Sequence, residues 1–427
     1  MMKKKISPQM LNLFNHFLIF NIFAGGFILS VRPFDFYTGY IFIAAFLILY
    51  IIVYRKIYIN RWFLEILMCL VLGSLLNVYL KNDTIFLMTK QVIGILVTGI
   101  AYYLLIVANE FKAEELFKIY LKIALIIAVI GIFQEISYLL RFEYGYDFSW
   151  IVNRWKCTRS GCGLLRVNSI CMEPSHFAMT MIPAVFVSLA SVLNKGKLYL
   201  NKISSLLIII SVILSFSSVA YIAILISLIL IFTGMRKSRF ILLIVVIVPV
   251  IAYSLYRYLP EIHERTNHTI DIITGAKPIS KAHLSVYALV SNGYVAYKSF
   301  ADNPLIGHGL GSHPLSYDKI IQPGSSGTIW YSDYPKYPPV NREDAGSLFL
   351  RLASETGLLG LFVVFYFLFK FRIRNTENIN LHIISKAIFV LFLLQLFRQG
   401  HYFYNGLFFF VWIYYFAYKI SNKEQLA

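Results

Sequence analysis

Apolar runs of 17 or more residues recur along this chain, and they decide its fold class. A helix of that length reaches across most of the roughly 30 Å hydrocarbon layer of a bilayer. The composition agrees: 58% of the 427 residues are hydrophobic and 14% are charged, whereas a soluble domain carries about a quarter charged residues. The short alternating segments of an outer-membrane barrel are missing. The chain therefore reads as an all-α polytopic membrane protein.

About twelve transmembrane spans are expected, at 11–30, 38–54, 62–80, 85–107, 117–139, 177–193, 203–216, 219–235, 240–256, 346–369, 383–397 and 407–419. The 33 apolar residues from 203 to 235 are too long for one crossing, since a single helix there would reach about 50 Å. A break at "SFSS", 215–218, divides them. The first span has a short basic start but no small-x-small cleavage site, so it reads as a retained signal anchor.

The net charge of +18 follows this topology. With alternate connections assigned to the cytoplasm, the "MMKKK" start, "RKIYINR", 108–118, "NKGKLYLNK", "RKSR", "KFRIR" and "KISNK" hold 19 Lys and Arg. The short outer connections hold three: Arg32, Lys81 and Arg398. This asymmetry is the positive-inside rule, and it puts both termini in the cytoplasm. No clustered basic face of the kind that reads nucleic acid is present, so no nucleic-acid partner is expected.

Two outer connections are long, and they set the expected organisation. Residues 1–256 carry nine spans with an external loop at 140–176; 257–345 form a large extracytoplasmic loop; 346–427 carry the last three spans. In the large loop eight acidic residues offset eight Lys and Arg, and Trp330, Tyr331, Tyr334 and Tyr337 argue against simple disorder. Long loops in compact proteins commonly carry function. "GHGLG", 307–311, lacks the spacing of a phosphate-cradling loop and reads as a tight turn ending a helix. Cys157, Cys162 and Cys171 share the first external loop, where a Cys157–Cys162 disulfide and free thiols are both open. No His, Cys or carboxylate spacing recommends a metal, and no cofactor is expected.

Charge gathers where two helices start at the outer face. In "LLRVNSICMEPSHFAM", 164–179, Arg166 and Glu173 precede a span and His176 falls in its first turn. Pro174 suits a helix start, and Glu173 suits the helix dipole. In "EDAGSLFLRLASETGLLGLF", 343–362, helical spacing puts Asp344, Ser347, Arg351 and Glu355 on one face. That stripe is either a buried internal pair or one wall of a polar cavity; intramembrane charge points toward function.

These segments resemble a known family. "RVNSICMEPSHFAM" is similar to the R-x-x-G-x-x-x-EPS-x-FA pattern of Wzy-type bacterial polysaccharide polymerases. "FADNPLIGHGLG" resembles the "nPl-G-G-G" segment of their external loop, and "SLFLRLASETGLLGL" resembles an "l-x-x-l-x-E-x-GllG" pattern shared with O-antigen ligases. Asn168 and Ser169 stand in the glycine region of the first pattern, and Arg-x10-Gly loop motifs are absent. Ligases usually carry a His and an Asn before the tenth span, where this chain has Asp344, Gly346 and Ser347. That favours polymerase over ligase.

The resemblance implies a GT-C-type glycosyltransferase architecture with its large loop between spans 9 and 10, in the bacterial cytoplasmic membrane, its active site facing outward. It implies metal-independent, inverting transfer between undecaprenyl-pyrophosphate-linked oligosaccharides, donor and acceptor alike, to build an O-antigen or capsule. Membrane lipids, a chain-length regulator and a flippase are the other implied partners. A leaving pyrophosphate needs fixed positive charge, for which Arg166, Arg342, Arg351 and Arg398 are candidates. The attacking hydroxyl needs a base, with Glu173, His176 and Glu355 as candidates. Trp330, Tyr331 and Tyr334 suit sugar stacking, and Lys281 and His308 are further substrate-binding candidates in the loop. The rival readings are an O-antigen ligase and a lipid-linked oligosaccharide flippase, though no internal repeat of the transporter kind is found.

Overall fold

The computed structural model describes residues 5–424 apart from 31–34, 194–197, 235–249, 251–252, 255, 259, 275, 277–283, 322–338, 375–377 and 404–405. The chain is mostly helical. In order, the helices are α1 (Pro8–Phe20), α2 (Gly39–Tyr54), α3 (Arg61–Tyr79), α4 (Ile85–Ala108), α5 (Ala113–Leu139), the short α6 (Glu143–Tyr146), α7 (Pro174–Leu193), α8 (Lys202–Ile213) and α9 (Ser218–Gly234). There follow α10 (Pro260–Ile273), α11 (Leu284–Asp302), α12 (His313–Ile321), α13 (Leu348–Lys370), α14 (Ile379–Phe397) and α15 (Leu407–Glu424). Side-chain caps start many of them: Ser7, Asn60, Thr84, Asn201, Ser347 and Asn378 each accept a backbone N–H of the first turn.

Six of the described helices, α3, α4, α5, α7, α13 and α14, are long and apolar enough to cross a membrane. Helices α1, α2, α8, α9 and α15 lie on other expected spans, and most of the ninth, 240–256, falls outside the described residues. The apolar stretch from 203 breaks between Ile213 and Ser218, where the Leu214 carbonyl accepts the Val167 N–H instead of a helical one. The span expected at 11–30 is not one helix. It stops at Phe20, and Ile28–Ser30 (β1) pairs antiparallel with Phe36–Tyr37 (β2). Gly26 lets the chain pass close to Val152 and Arg154, where a Cβ would lie 2.4 Å from the Val152 side chain.

Helix α7 is the centre of the bundle. It packs against α8, α9 and α14 and is buried along most of its length. Its approach is fixed by Gln134 on α5, whose amide oxygen accepts the N–H groups of Asn168 and Ser169 at 3.2 and 2.8 Å. Ser169 has φ 51°, the left-handed backbone that glycine adopts most easily. It stands at the glycine position of the resembling pattern, and its hydroxyl donates to the Ile127 carbonyl at 3.0 Å. Leu165 is tied to Glu135 in the same way, at 3.3 Å.

Helix α13 is broken at Gly357, which has φ 58° and ψ −147°. The 304–309 turn fills the break. His308 and Gly309 donate to the Ser354 and Glu355 carbonyls at 2.9 and 2.8 Å, while Leu358 and Leu359 donate to Pro304 and Leu305 at 2.8 and 3.1 Å. Backbone groups freed inside a membrane helix are thus satisfied by protein, as the lack of water there demands. A Cβ on Gly357 would sit 2.5 Å from the Pro304 oxygen. Gly357→Ala should therefore cost roughly 3 kcal/mol through backbone strain and displacement of the turn. A wild-type melting temperature for this variant in detergent would contradict that packing.

Candidate functional site

A cleft of about 330 Å³ opens where five distant segments meet at one end of the bundle. Gly25, Asp35, Tyr37 and Tyr40 come from the hairpin region, and Arg154 from the segment between α6 and α7. Glu173, Ser175, His176 and Met179 come from the start of α7. Asn341, Glu343, Asp344 and Gly346 precede α13, while Arg398, Gln399, His401 and Phe403 follow α14.

Two carboxylate–imidazole pairs face this cleft. His176 Nε2 lies 3.6 Å from Glu173, one turn apart on the same helix start, and the Ser175 hydroxyl donates to the same carboxylate. Burial works against ionised Glu173, but His176, Ser175, Arg398 and Lys156 together hold its pKa below the usual carboxylate value. His401 Nε2 lies 3.3 Å from Asp344, whose other oxygen accepts the Gly346 N–H at 3.1 Å. Enclosure pushes the His401 pKa down, as do Arg351 and His176, against the opposing pull of Asp344. A neutral imidazole held by a carboxylate is a competent proton acceptor near neutral pH.

Two guanidinium groups supply positive charge. Arg154 is paired with Asp35. Arg398 makes no ion pair among the described residues, although its charge acts on Glu173. Its backbone is closely constrained. Gln399, with φ 139°, bridges to Ser347 and donates to the Gly346 carbonyl at 3.0 Å. Gly400 is pressed against the backbone of Asp344, leaving no room for a Cβ. A rigidly mounted arginine with no ion pair among the described residues, beside two imidazole–carboxylate pairs, suits binding of a phosphate-bearing substrate with transfer of a proton.

Arg351 and Glu355 lie outside this cleft. Both are fully buried, and Arg351 Nε donates to Glu355 at 3.0 Å. Arg351 Nη1 donates to the Gly400 carbonyl at 3.1 Å, and its guanidinium lies 4.3 Å from the centre of the Tyr402 ring. Glu355 accepts the N–H groups of Gly311 and His313 at 2.8 and 3.3 Å. The pair joins the 304–313 turn to the segment that carries Arg398 and His401. Nearby His313 is clamped by Ser354 and Asn292 at 2.9 and 3.0 Å, and burial, followed by Arg351, pushes its pKa down to about 3.

The remaining expected residues are dispersed. Arg166 is half-buried beside the Glu135-bound turn and does not line the cleft. Arg342 is engaged by Asp318 and Glu343, with Nε 2.6 Å from Asp318. His308 contacts Ser316 at 3.1 Å. Lys281, Trp330, Tyr331, Tyr334 and Tyr337 lie outside the described residues. Cys157 and Cys162 are free thiols. Asp35, Arg154 and His401 were not singled out from sequence. The only available signal was their position beside apolar runs, in "VRPFDFY", "VNRW" and "RQGHY".

Asp83 forms a separate titrating position between α3 and α4. Its Oδ1 accepts the Thr84 N–H at 2.7 Å, while Oδ2 is buried without a hydrogen-bond partner among the described residues. Burial, then the nearby Glu355 charge, pushes its pKa up to about 7 against the Thr84 bond. From about pH 4, the unfolded value, to about pH 7, the folded chain keeps a proton that the unfolded chain has lost. Stability at this position is thus greatest in acid, falls through that window and is level above it. Asp83→Asn should melt higher than wild type at pH 8, with the gap closing toward pH 4. A pH-independent gap would contradict the assignment.

Residues 203–365 match a family model described as O-Antigen ligase. That match supports membership of the O-antigen polymerase/ligase superfamily. The superfamily's activity is of the polymerase/ligase type, a glycosyl transfer at the membrane. The matched stretch contains the 304–311 turn, Arg351, Glu355 and the Asp344 side of the cleft, whereas Glu173, His176, Arg398 and His401 lie outside it. No curated protein compared with the chain gives a match.

Proposed function

We propose that this protein polymerises lipid-pyrophosphate-linked oligosaccharide repeats into a surface polysaccharide, at the outer face of the cytoplasmic membrane. One observation carries the reading: Arg398, unpaired among the described residues, shares a cleft with the Glu173–His176 and Asp344–His401 pairs. Charge supports the outward placement. Helices α1 and α14 begin at the end away from the cleft, beside the basic "MMKKK" and "KFRIR" segments.

In the proposed reaction a terminal hydroxyl of one lipid-linked repeat attacks the anomeric carbon of the growing chain. A glycosidic C–O bond forms, and the bond from the anomeric carbon to the pyrophosphate oxygen breaks. The electron pair leaves with the lipid pyrophosphate, which Arg398 and Arg154 neutralise. The hydroxyl proton passes to an imidazole, His401 or His176, held by its carboxylate. Attack opposite the leaving group inverts the anomeric centre. Of the residues expected from sequence, Glu173, His176 and Arg398 stay at the chemistry in this proposal.

The family model's description favours a second reading, transfer of a finished lipid-linked glycan to a different acceptor. A deletion strain separates them. Loss of a polymerase leaves single-repeat glycans at the cell surface, whereas loss of a ligase accumulates long polymer on the lipid carrier. Loss of surface glycan without either product would favour the flippase reading and overturn both.

A further inference from the structure

At the end of the bundle away from the cleft, an open cavity of about 790 Å³ is bordered by α1, the start of α5, residues 198–200 and Asn380 at the start of α14. Asn15 and Asn109 close one side with a reciprocal amide pair, both hydrogen bonds 2.8 Å. Lys118 and Lys122, one helical turn apart on α5, both line the cavity, together with apolar Leu121, Leu125 and Leu198. Lys118 is held by Glu115 at 2.8 Å and by Glu114 at 3.4 Å. Lys122 makes no ion pair among the described residues.

Depth makes Lys122 informative. Helix α5 has 27 residues, about 40 Å of helix against a hydrocarbon layer of roughly 30 Å. Placing the surplus of about 10 Å at its start puts its first turns in the headgroup region and Lys122, the tenth residue, within one turn of the hydrocarbon boundary. A lysine at that depth carries its charge either out to the headgroup layer or to an anion that enters the cavity it lines. The neighbouring leucines continue from this point into the hydrocarbon. We propose that the cavity holds one glycerophospholipid, its phosphodiester between Lys118 and Lys122 and an acyl chain along Leu121, Leu125 and Leu198. Basic pockets between membrane helices on the cytoplasmic side bind lipid headgroups through this chemistry. The site is independent of the glycosyl-transfer reading, and its failure leaves that reading untouched.

The test uses the purified full chain, delipidated in detergent, with native mass spectrometry and thermal melting. Added palmitoyl-oleoyl phosphatidylglycerol should bind at one per chain and raise the melting temperature. Diacylglycerol with the same chains and inorganic phosphate should each do neither. Lys118→Met with Lys122→Met should weaken the phospholipid by about thirtyfold. Leu125→Trp, which fills the apolar part and keeps both lysines, should also exclude it. Equal stabilisation by diacylglycerol, a full effect from inorganic phosphate alone, or undiminished binding to both variants would overturn the proposal.

Discussion

Arg398→Ala should lower the rate of chain extension by about a hundredfold or more while leaving the melting temperature close to wild type. Removing one preorganised donor from developing negative charge typically costs 10²–10³ in rate, about 3–4 kcal/mol. The fold should tolerate the loss because Arg398 makes no ion pair among the described residues, and its position is set by backbone contacts at Gln399 and Gly400. Arg398→Lys should fall between the two, since an ammonium keeps the charge but loses the planar fork that fits a phosphate group. The check is product length in cells and initial rate with purified protein, each beside a melting curve. A fully active Arg398→Ala protein would remove the cation on which the proposed leaving-group chemistry depends.

Arg351→Ala should act in the opposite sense, on the fold first. Arg351 is 1% exposed and its partner Glu355 is fully buried. Deleting one member of a buried ion pair strands the other charge and costs about 3–5 kcal/mol. Here it also frees the Gly400 carbonyl and loosens the carboxylate that holds Gly311 and His313. Expression and melting temperature should therefore drop together. Glu355→Gln should also lower the melting temperature: the amide oxygen can still accept an N–H, but the buried Arg351 guanidinium loses its counter-charge. If Arg351 instead held substrate directly, its alanine variant would melt normally and lose only turnover. Comparison of the Arg351 and Arg398 variants thus separates a strut from a substrate contact.

The contrast also shows how much a linear reading can reach. Long apolar runs marked α3, α4, α5, α7, α13 and α14, because a membrane helix needs little else. The β1–β2 hairpin was not legible: "FNIFAGGFILSV" is as apolar as a span, and only Gly25 and Gly26 hint that the helix has ended. Glu173, His176 and Arg398 stood out as charges beside apolar segments. Asp35 and Arg154 form their pair across 119 positions, and His401 meets Asp344 across 57, separations that residue spacing along a helix does not report. The stripe of Asp344, Ser347, Arg351 and Glu355 was visible, but helical geometry alone left two roles open. Packing divides the stripe, with Asp344 at the cleft and Arg351–Glu355 sealed beneath the 304–313 turn. The break at Gly357 was hidden for a related reason: an isolated glycine inside an apolar helix is ordinarily tolerated.

The central claim, that the cleft joins one lipid-linked repeat to another, is tested most directly by reconstituting the purified chain with defined undecaprenyl-pyrophosphate-linked repeats, with and without added divalent cations. Products should form a ladder of whole repeats, with one lipid pyrophosphate released per bond and the ladder lost in Arg398→Ala. Unchanged repeats from folded wild-type protein, or a ladder equally strong in Arg398→Ala, would contradict it.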